Sequence, residues 1–379
     1  MEISNIKFWY HPITGGSGVQ YLMEYYFGLK FELYDNKIVD TTKKNIIVFL
    51  WEPKNEHTIN FEFKTNKFEF FELIKEMNKL GFYFLADYST ESNSDMDEER
   101  INFISKLKRI NINIDKFFLV TNNSNINQSK LKYGEHLINH IHFPHFLSAT
   151  PMEMNKYLRE LDSYKTNQPS KEFICLNRRV HRHKFNFLKK LWKRGLLEKT
   201  NWTWVCNYID LKDYGDDEFV KYLNIDVNNF DSFQLTDDVM YGTKLDKADE
   251  FLYTINPKWF YESKVNLIVE SNPFNRPLHL TEKTFKPIFL GVPFVIFGSK
   301  GHLEKLKEFG FDVFESVIGK YDCTDEDSVI NAGIKLSEIY DSELVVKICK
   351  DNELKLRSFD THQKIIQKYF ISRFETKII

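Results

Sequence analysis

Short apolar runs of strand length alternate with helix-length amphipathic stretches, and the series occurs twice along the chain. That rhythm restricts the chain to an α/β fold built on largely parallel sheets. The first series takes in residues 6–10, NIIVFLWEP (45–53), GFYFLADY (81–88) and IDKFFLVTNN (114–123), with helical spacing over 19–27, 67–80 and 98–109. The second restarts at KEFICLN (171–177) and continues through WTWVCNY (202–208), KVNLIVES (264–271) and VPFVIFG (292–298). Its helical stretches are KFNFLKKLWKRG (184–195), TEKTFKPIFLG (281–291), HLEKLKEFG (302–310) and residues 325–341.

The pattern predicts two Rossmann-like α/β domains facing a cleft, over 1–165 and 166–345, followed by a helical tail over 346–379. The polar SYKTNQPS (163–170) is the linker candidate, and HLINHIHFPHFLSATPM (136–152) reads as a connection between the halves. A chain of 379 residues, 42% hydrophobic and 28% charged, supplies the core for two such domains.

Composition removes several function classes. A formal charge of -2 argues against a protein that coats polyanions, although basic residues cluster in RRVHRHK (178–184) and KKLWKRG (189–195). The four cysteines are far apart with no CxxC pair, which disfavours a zinc knuckle or dithiol site and suits a reducing compartment. Cys175 and Cys206 lie in strand-like apolar runs, where a thiol behaves as a small hydrophobe. Neither a signal-peptide pattern nor an apolar run of about 18 residues is seen, so the expected location is cytoplasmic, or the host cytoplasm for a viral protein.

The segment that bears most on function is VNLIVESNPFNRPLHLTEKTFKPIFLGVPFVIFG (265–298). A strand leads to Glu270, Thr281 can cap a helix starting at Glu282 and Lys283, and Gly291 and Pro293 mark the passage to the next strand. A helix start at the carboxyl edge of a parallel sheet offers backbone N–H groups to an anion. Lys283 adds a positive charge, and Glu282 can accept ribose hydroxyls. Together these features fit a nucleoside diphosphate.

This run resembles the donor-binding signature of alpha-1,3-fucosyltransferases and related GT-B-fold glycosyltransferases, through Glu270, Thr281-Glu282-Lys283, Gly291 and the strand ending at Gly298. The resemblance implies that Glu282 and Lys283 face ribose and diphosphate. It also implies a phosphate-binding arginine after the first strand of the second domain. Asn177 and Arg178 directly follow that strand, and Arg178 and Arg182 are the candidates for this arginine. HLEKLKEFGFDVF (302–314) is similar to a segment of glycosyltransferase-like proteins of viruses and bacteria. The resemblance spans 171–325 and departs at Phe285-Lys286-Pro287, so the sugar stays open.

An inverting transfer, which the resemblance implies, needs a base for the acceptor proton. Asp87 and Glu52 at strand ends and His11 before TGGSG are the candidates, each with a plainer reading as cap, surface acid or satisfied polar residue. TGGSG lacks the GK[ST] of a P-loop. No metal site is expected at His136, His140, His142 and His145, nor in DMDEE (95–99), and no tightly bound cofactor is expected; a divalent cation is possible but not indicated. The expected partners are a UDP- or GDP-linked sugar donor and a glycan or small hydroxylated acceptor. Two alternatives stand beside this reading: a DNA glycosyltransferase acting on a hydroxymethylated base, and a catalytically silent binding protein on the same scaffold.

Overall fold

The structure, a computed structural model, describes residues 6–10, 18–34, 39–40, 42–50, 67–88, 98–122, 130–133, 136–166, 168–177, 181–204, 218–222, 255, 257–271 and 278–372. The chain packs as two compact units. Unit 1 comprises Met1–Ala149, Pro277–His279 and Phe359–Ile379, and unit 2 comprises Thr150–Arg276 and Leu280–Ser358.

Among the described residues, unit 1 carries seven strands: β1 (Ile6–Tyr10), β2 (Phe31–Leu33), β3 (Lys44–Leu50), β4 (Tyr83–Tyr88), β5 (Phe117–Thr121), β6 (Lys130–Tyr133) and β7 (His136–His142). Their order is β2-β1-β3-β4-β5-β7-β6. Every neighbouring pair is parallel except β6 and β7. Strands buried on both faces need continuous apolar sequence, which IIVF and FFLV supply. Helices α1 (Gly18–Phe27), α2 (Lys67–Lys79) and α3 (Glu98–Arg109) complete the alternation. Ile74 and Met77 of α2 and Ile104 and Leu107 of α3 pack with Ile47, Phe84 and Leu119 in one core.

Unit 2 has a four-stranded parallel sheet of order β11-β10-β8-β9, from β8 (Lys171–Asn177), β9 (Thr200–Trp204), β10 (Ser263–Val269) and β11 (Phe294–Phe297). Helix α4 (His145–Met154) crosses the boundary between the units, and α5 (Leu158–Ser163), α6 (Arg182–Lys193), α7 (Glu218–Tyr222) and α8 (Pro257–Tyr261) follow. Beyond them come α9 (Glu282–Leu290), α10 (His302–Glu308), α11 (Glu315–Ile318), α12 (Glu326–Glu338), α13 (Glu343–Arg357) and α14 (Phe359–Ile366). Helix α12 lies close on the sheet because Gly333 has no side chain: a Cβ there would sit 2.7 Å from Leu267 Cδ2. Two sheets, one largely and one wholly parallel, each flanked by helices, with helices closing the chain, match the two Rossmann-like α/β units expected of a GT-B chain.

Three features differ from expectation. Helix α5 belongs to unit 2, where Asp162 pairs with Arg357 at 3.1 Å, so the division falls at 149/150 and not 165/166. The tail is not one piece. Helix α13 belongs to unit 2, whereas α14 packs on unit 1 through Phe359 against Tyr25 and Tyr26 and through Gln363, which donates to the Tyr26 carbonyl. Finally, 136–152 does carry the chain from unit 1 to unit 2, but as strand β7 and most of helix α4 instead of an irregular linker.

Candidate functional site in unit 2

Adjacent parallel strands β8 and β10 bring Asn177 and Glu270 to the same carboxyl edge of the sheet, and α6 and α9 start beyond that edge. Thr281 is the N-cap of α9, with extended backbone (φ -103, ψ 177), and its hydroxyl accepts the Lys283 amide at 3.3 Å. Glu270 is wholly buried and grips the same turn. Its Oε2 accepts the Thr281 hydroxyl at 2.7 Å, while Oε1 accepts the Thr284 hydroxyl at 2.6 Å and the Thr281 amide at 3.2 Å. A buried carboxylate is tolerable only with such donors around it. Its task here is to fix the start of the helix.

The expectation of bare N–H groups at this helix start is not met. The Thr281 amide goes to Glu270, the Lys283 amide to the Thr281 hydroxyl and the Thr284 amide to the Thr281 carbonyl. Glu282 takes its own backbone amide. The helix dipole remains, but an anion at this edge would be met by side-chain cations and not by unpaired amides.

Those cations are present. Lys283 Nζ lies 3.1 Å from Glu282 Oε1 and 3.3 Å from Ser271 Oγ, and the side chain stays partly exposed. Glu282 is buried, which pushes its carboxyl up, yet the Lys283 and Lys286 ammoniums and two hydrogen bonds outweigh this and hold it at about 2. It is therefore anionic at neutral pH and able to accept hydroxyl donors. Lys184, at the third position of α6, is also buried.

The beginnings of α6 and α9 are tied together. His183 Nε2 lies 3.0 Å from the Glu270 carbonyl oxygen, an arrangement that makes Nε2 the protonated nitrogen, and His183 stacks on His181 with rings 5.6 Å apart. Arg182, the first residue of α6, is exposed. Asn177 is wholly buried and donates to Cys175 Sγ at 3.3 Å, and Cys175 is itself a buried thiol of the core. The structure thus brings Asn177, Glu270, Thr281, Glu282 and Lys283 to one sheet edge, with Arg182 on the helix that follows β8. Arg178 and Cys206 lie outside the described residues.

In unit 1, Asp87 is buried near the carboxyl end of β4, and its Oδ2 accepts the Val19 amide in the first turn of α1 at 2.8 Å. That is the cap reading of this residue, realised across the chain instead of within a turn. His145 interacts electrostatically with Asp87 and with His279. Burial, opposed by the Asp87 charge and reinforced by His279, pulls His145 down to about 4. Asn122 Nδ2 lies 3.5 Å from His279 Nδ1, and His279 meets the Phe146 ring edge-on. His11 and Glu52 lie outside the described residues.

Sequence reasoning gave no role to His183, Lys184, Thr284 and His279, and weighed His145 only as a metal ligand. His183 and Lys184 lay inside a basic run read as a whole, and His145 and His279 in segments read as connection and loop. His140 and His142 have other partners, the Thr121 hydroxyl at 2.8 Å and the Tyr369 ring. Among the described residues no group of three or more His, Cys, Asp or Glu side chains converges as a metal site, and no helix is long and apolar enough to cross a membrane.

No family model matches the chain, and no curated protein matches it. Among solved structures, a trehalose-6-phosphate synthase studied with bisubstrate glycomimetics, as an enzyme of glycosyl transfer with retention, is similar at 14% identity and TM-score 0.40, over 88% of this chain and 74% of that one. The wall teichoic acid polymerase TagF is similar in two structures, at 13% and 12% identity and TM-score 0.31 in each. These cover 98% of this chain and 91% and 89% of the polymerase chains.

Proposed function

We propose that the chain is a glycosyltransferase that binds a nucleotide-sugar donor at the carboxyl edge of the unit 2 sheet and passes the sugar to a hydroxyl acceptor. The observation that carries this reading is the Glu282–Lys283 pair: a carboxylate held anionic and a partly exposed ammonium, fixed at the start of α9 by Glu270, Thr281 and Thr284. Glu282 accepts the ribose hydroxyls, while Lys283 neutralises the diphosphate and stabilises it as the leaving group. Arg182 and Arg178 are the candidates to add guanidinium donors to the phosphates, and Asn177 ends the strand that precedes them in sequence. Glu270 is a positioning residue.

The proposed transfer inverts the anomeric centre, as the fucosyltransferase resemblance implies. The acceptor proton goes to a unit 1 base, for which Asp87 in its group with His145 and His279 is the described candidate; Glu52 and His11 are the others. The nucleotide is UDP or GDP, and the location is the cytoplasm. Calorimetric titration of the whole chain with a panel of nucleoside diphosphates tests the donor site. At least one should bind, and Lys283→Ala should weaken it by roughly tenfold or more, about 1.4 kcal/mol. A folded chain that binds none of them refutes the reading. Analysis of the product anomer then decides the stereochemistry.

A further inference from the structure

Lys184 is only 3% exposed, yet its ammonium has neither a hydrogen bond nor an ion pair among the described residues. Its Nζ is not among the fully enclosed unpartnered polar atoms, so the ammonium keeps a small opening to solvent at the end of a buried stem. A largely desolvated cation without a partner is costly, and the position itself does not demand one. Its neighbours on the buried face of α6, Phe185, Leu188 and Leu191, are apolar, and a methionine would fill the same space. The groups around it come from three elements: Lys283 and Glu282 on α9, Glu270 at the end of β10 and the Cys175 thiol on β8. Burial, reinforced by Lys283 and opposed by Glu282, Glu270 and Cys175, lowers the Lys184 ammonium to about 7. No carboxylate is paired with it, because Glu270 is committed to Thr281 and Thr284 and Glu282 to Lys283.

We propose that Lys184 is a second phosphate-binding lysine, whose ammonium joins Lys283 in holding the diphosphate of the bound nucleotide. The inference rests on the donor reading above and adds to it a residue and a linkage. Lys283 and Lys184 repel each other in the empty site, and an arriving dianion removes that repulsion and supplies the missing partner. Lys184 therefore gains a proton as the nucleotide binds. The incoming proton comes from solvent, and no covalent bond changes.

The test is calorimetric titration of the full chain with UDP and with GDP near pH 8, in two buffers of different ionisation enthalpy, for wild type and Lys184→Met. Wild type is expected to take up a fraction of a proton on binding. Lys184→Met is expected to bind roughly tenfold more weakly with that uptake lost. Equal affinity and equal uptake in the variant overturn the role of Lys184 and leave the donor site standing. A wild type that binds neither nucleotide overturns both. Should Lys184→Met fail to fold, Lys184→Gln takes its place, and absence of proton uptake by wild type overturns the proposal without any variant.

Discussion

Thr284 donates its hydroxyl to Glu270 Oε1 across 2.6 Å, fastening the first turn of α9 to the end of β10 with both groups fully buried. With Thr281 on the second oxygen, one strand-end acid sets where the Glu282–Lys283 pair points. Thr284→Val keeps the shape and removes one hydrogen bond to a charged acceptor. We expect a loss of about 1.5–3 kcal/mol in urea unfolding, together with weaker nucleotide binding. Unchanged stability would mean that this contact does not anchor the helix.

The other end of α9 gives an independent check. Gly291 has φ +68, the left-handed conformation that ends the helix, and a Cβ there would lie 2.5 Å from Glu353 Oε2. Glu353 is held through its other oxygen, Oε1, by Lys165 at 2.6 Å and Arg357 at 2.9 Å, so moving the side chain aside strains these ion pairs. Gly291→Ala should destabilise by at least about 1–2 kcal/mol, read as a lowered unfolding midpoint.

Lys184 gives stability a pH dependence of definite sign. Its folded value of about 7 lies below its ordinary 10.5, so between these values the unfolded chain binds more protons and stability rises with pH. The slope contributed by one such group is at most about 1.4 kcal/mol per pH unit. Lys184→Met should flatten this part of the profile and raise stability most below about pH 7, where the wild type buries a charged ammonium. Chemical unfolding at several pH values checks this, and parallel profiles for the two proteins would contradict it. Glu282 acts in the opposite way. Its carboxyl, held at about 2 against 4.5, contributes stability that is complete above its ordinary value and is lost as pH falls toward 2.

Much of the fold was legible in the sequence because strands buried on both faces and helices with one apolar face write unmistakable periods. β3, β4, β5, β8, β10 and β11 all correspond to apolar runs. β7 was not legible. It carries Asn139, His140 and His142, yet the sheet accepts them because partners far along the chain satisfy them: the Asp115 carbonyl takes Asn139 at 2.8 Å, and the Thr121 hydroxyl meets His140. No local pattern announces such partners. The short β2 and β6 carry too few residues to show a period.

The candidate site divides in the same way. Thr281, Glu282, Lys283 and Gly291 were readable because a cap, a first turn and a left-handed stop have local signatures. Lys184 was not, since its isolation among apolar neighbours and its approach to Lys283 and Glu282 exist only after β8 and β10 pair. The same holds for Asp87, whose acceptor role depends on an amide 68 residues away.

If the start of α9 holds a diphosphate while a sugar leaves it, nucleotide should be released from a panel of UDP- and GDP-linked sugars. At least one donor should be turned over by wild type, and Lys283→Ala should slow that release by roughly tenfold or more while remaining folded. Equal release by the two proteins, or no release from any donor by a folded wild type, would contradict it.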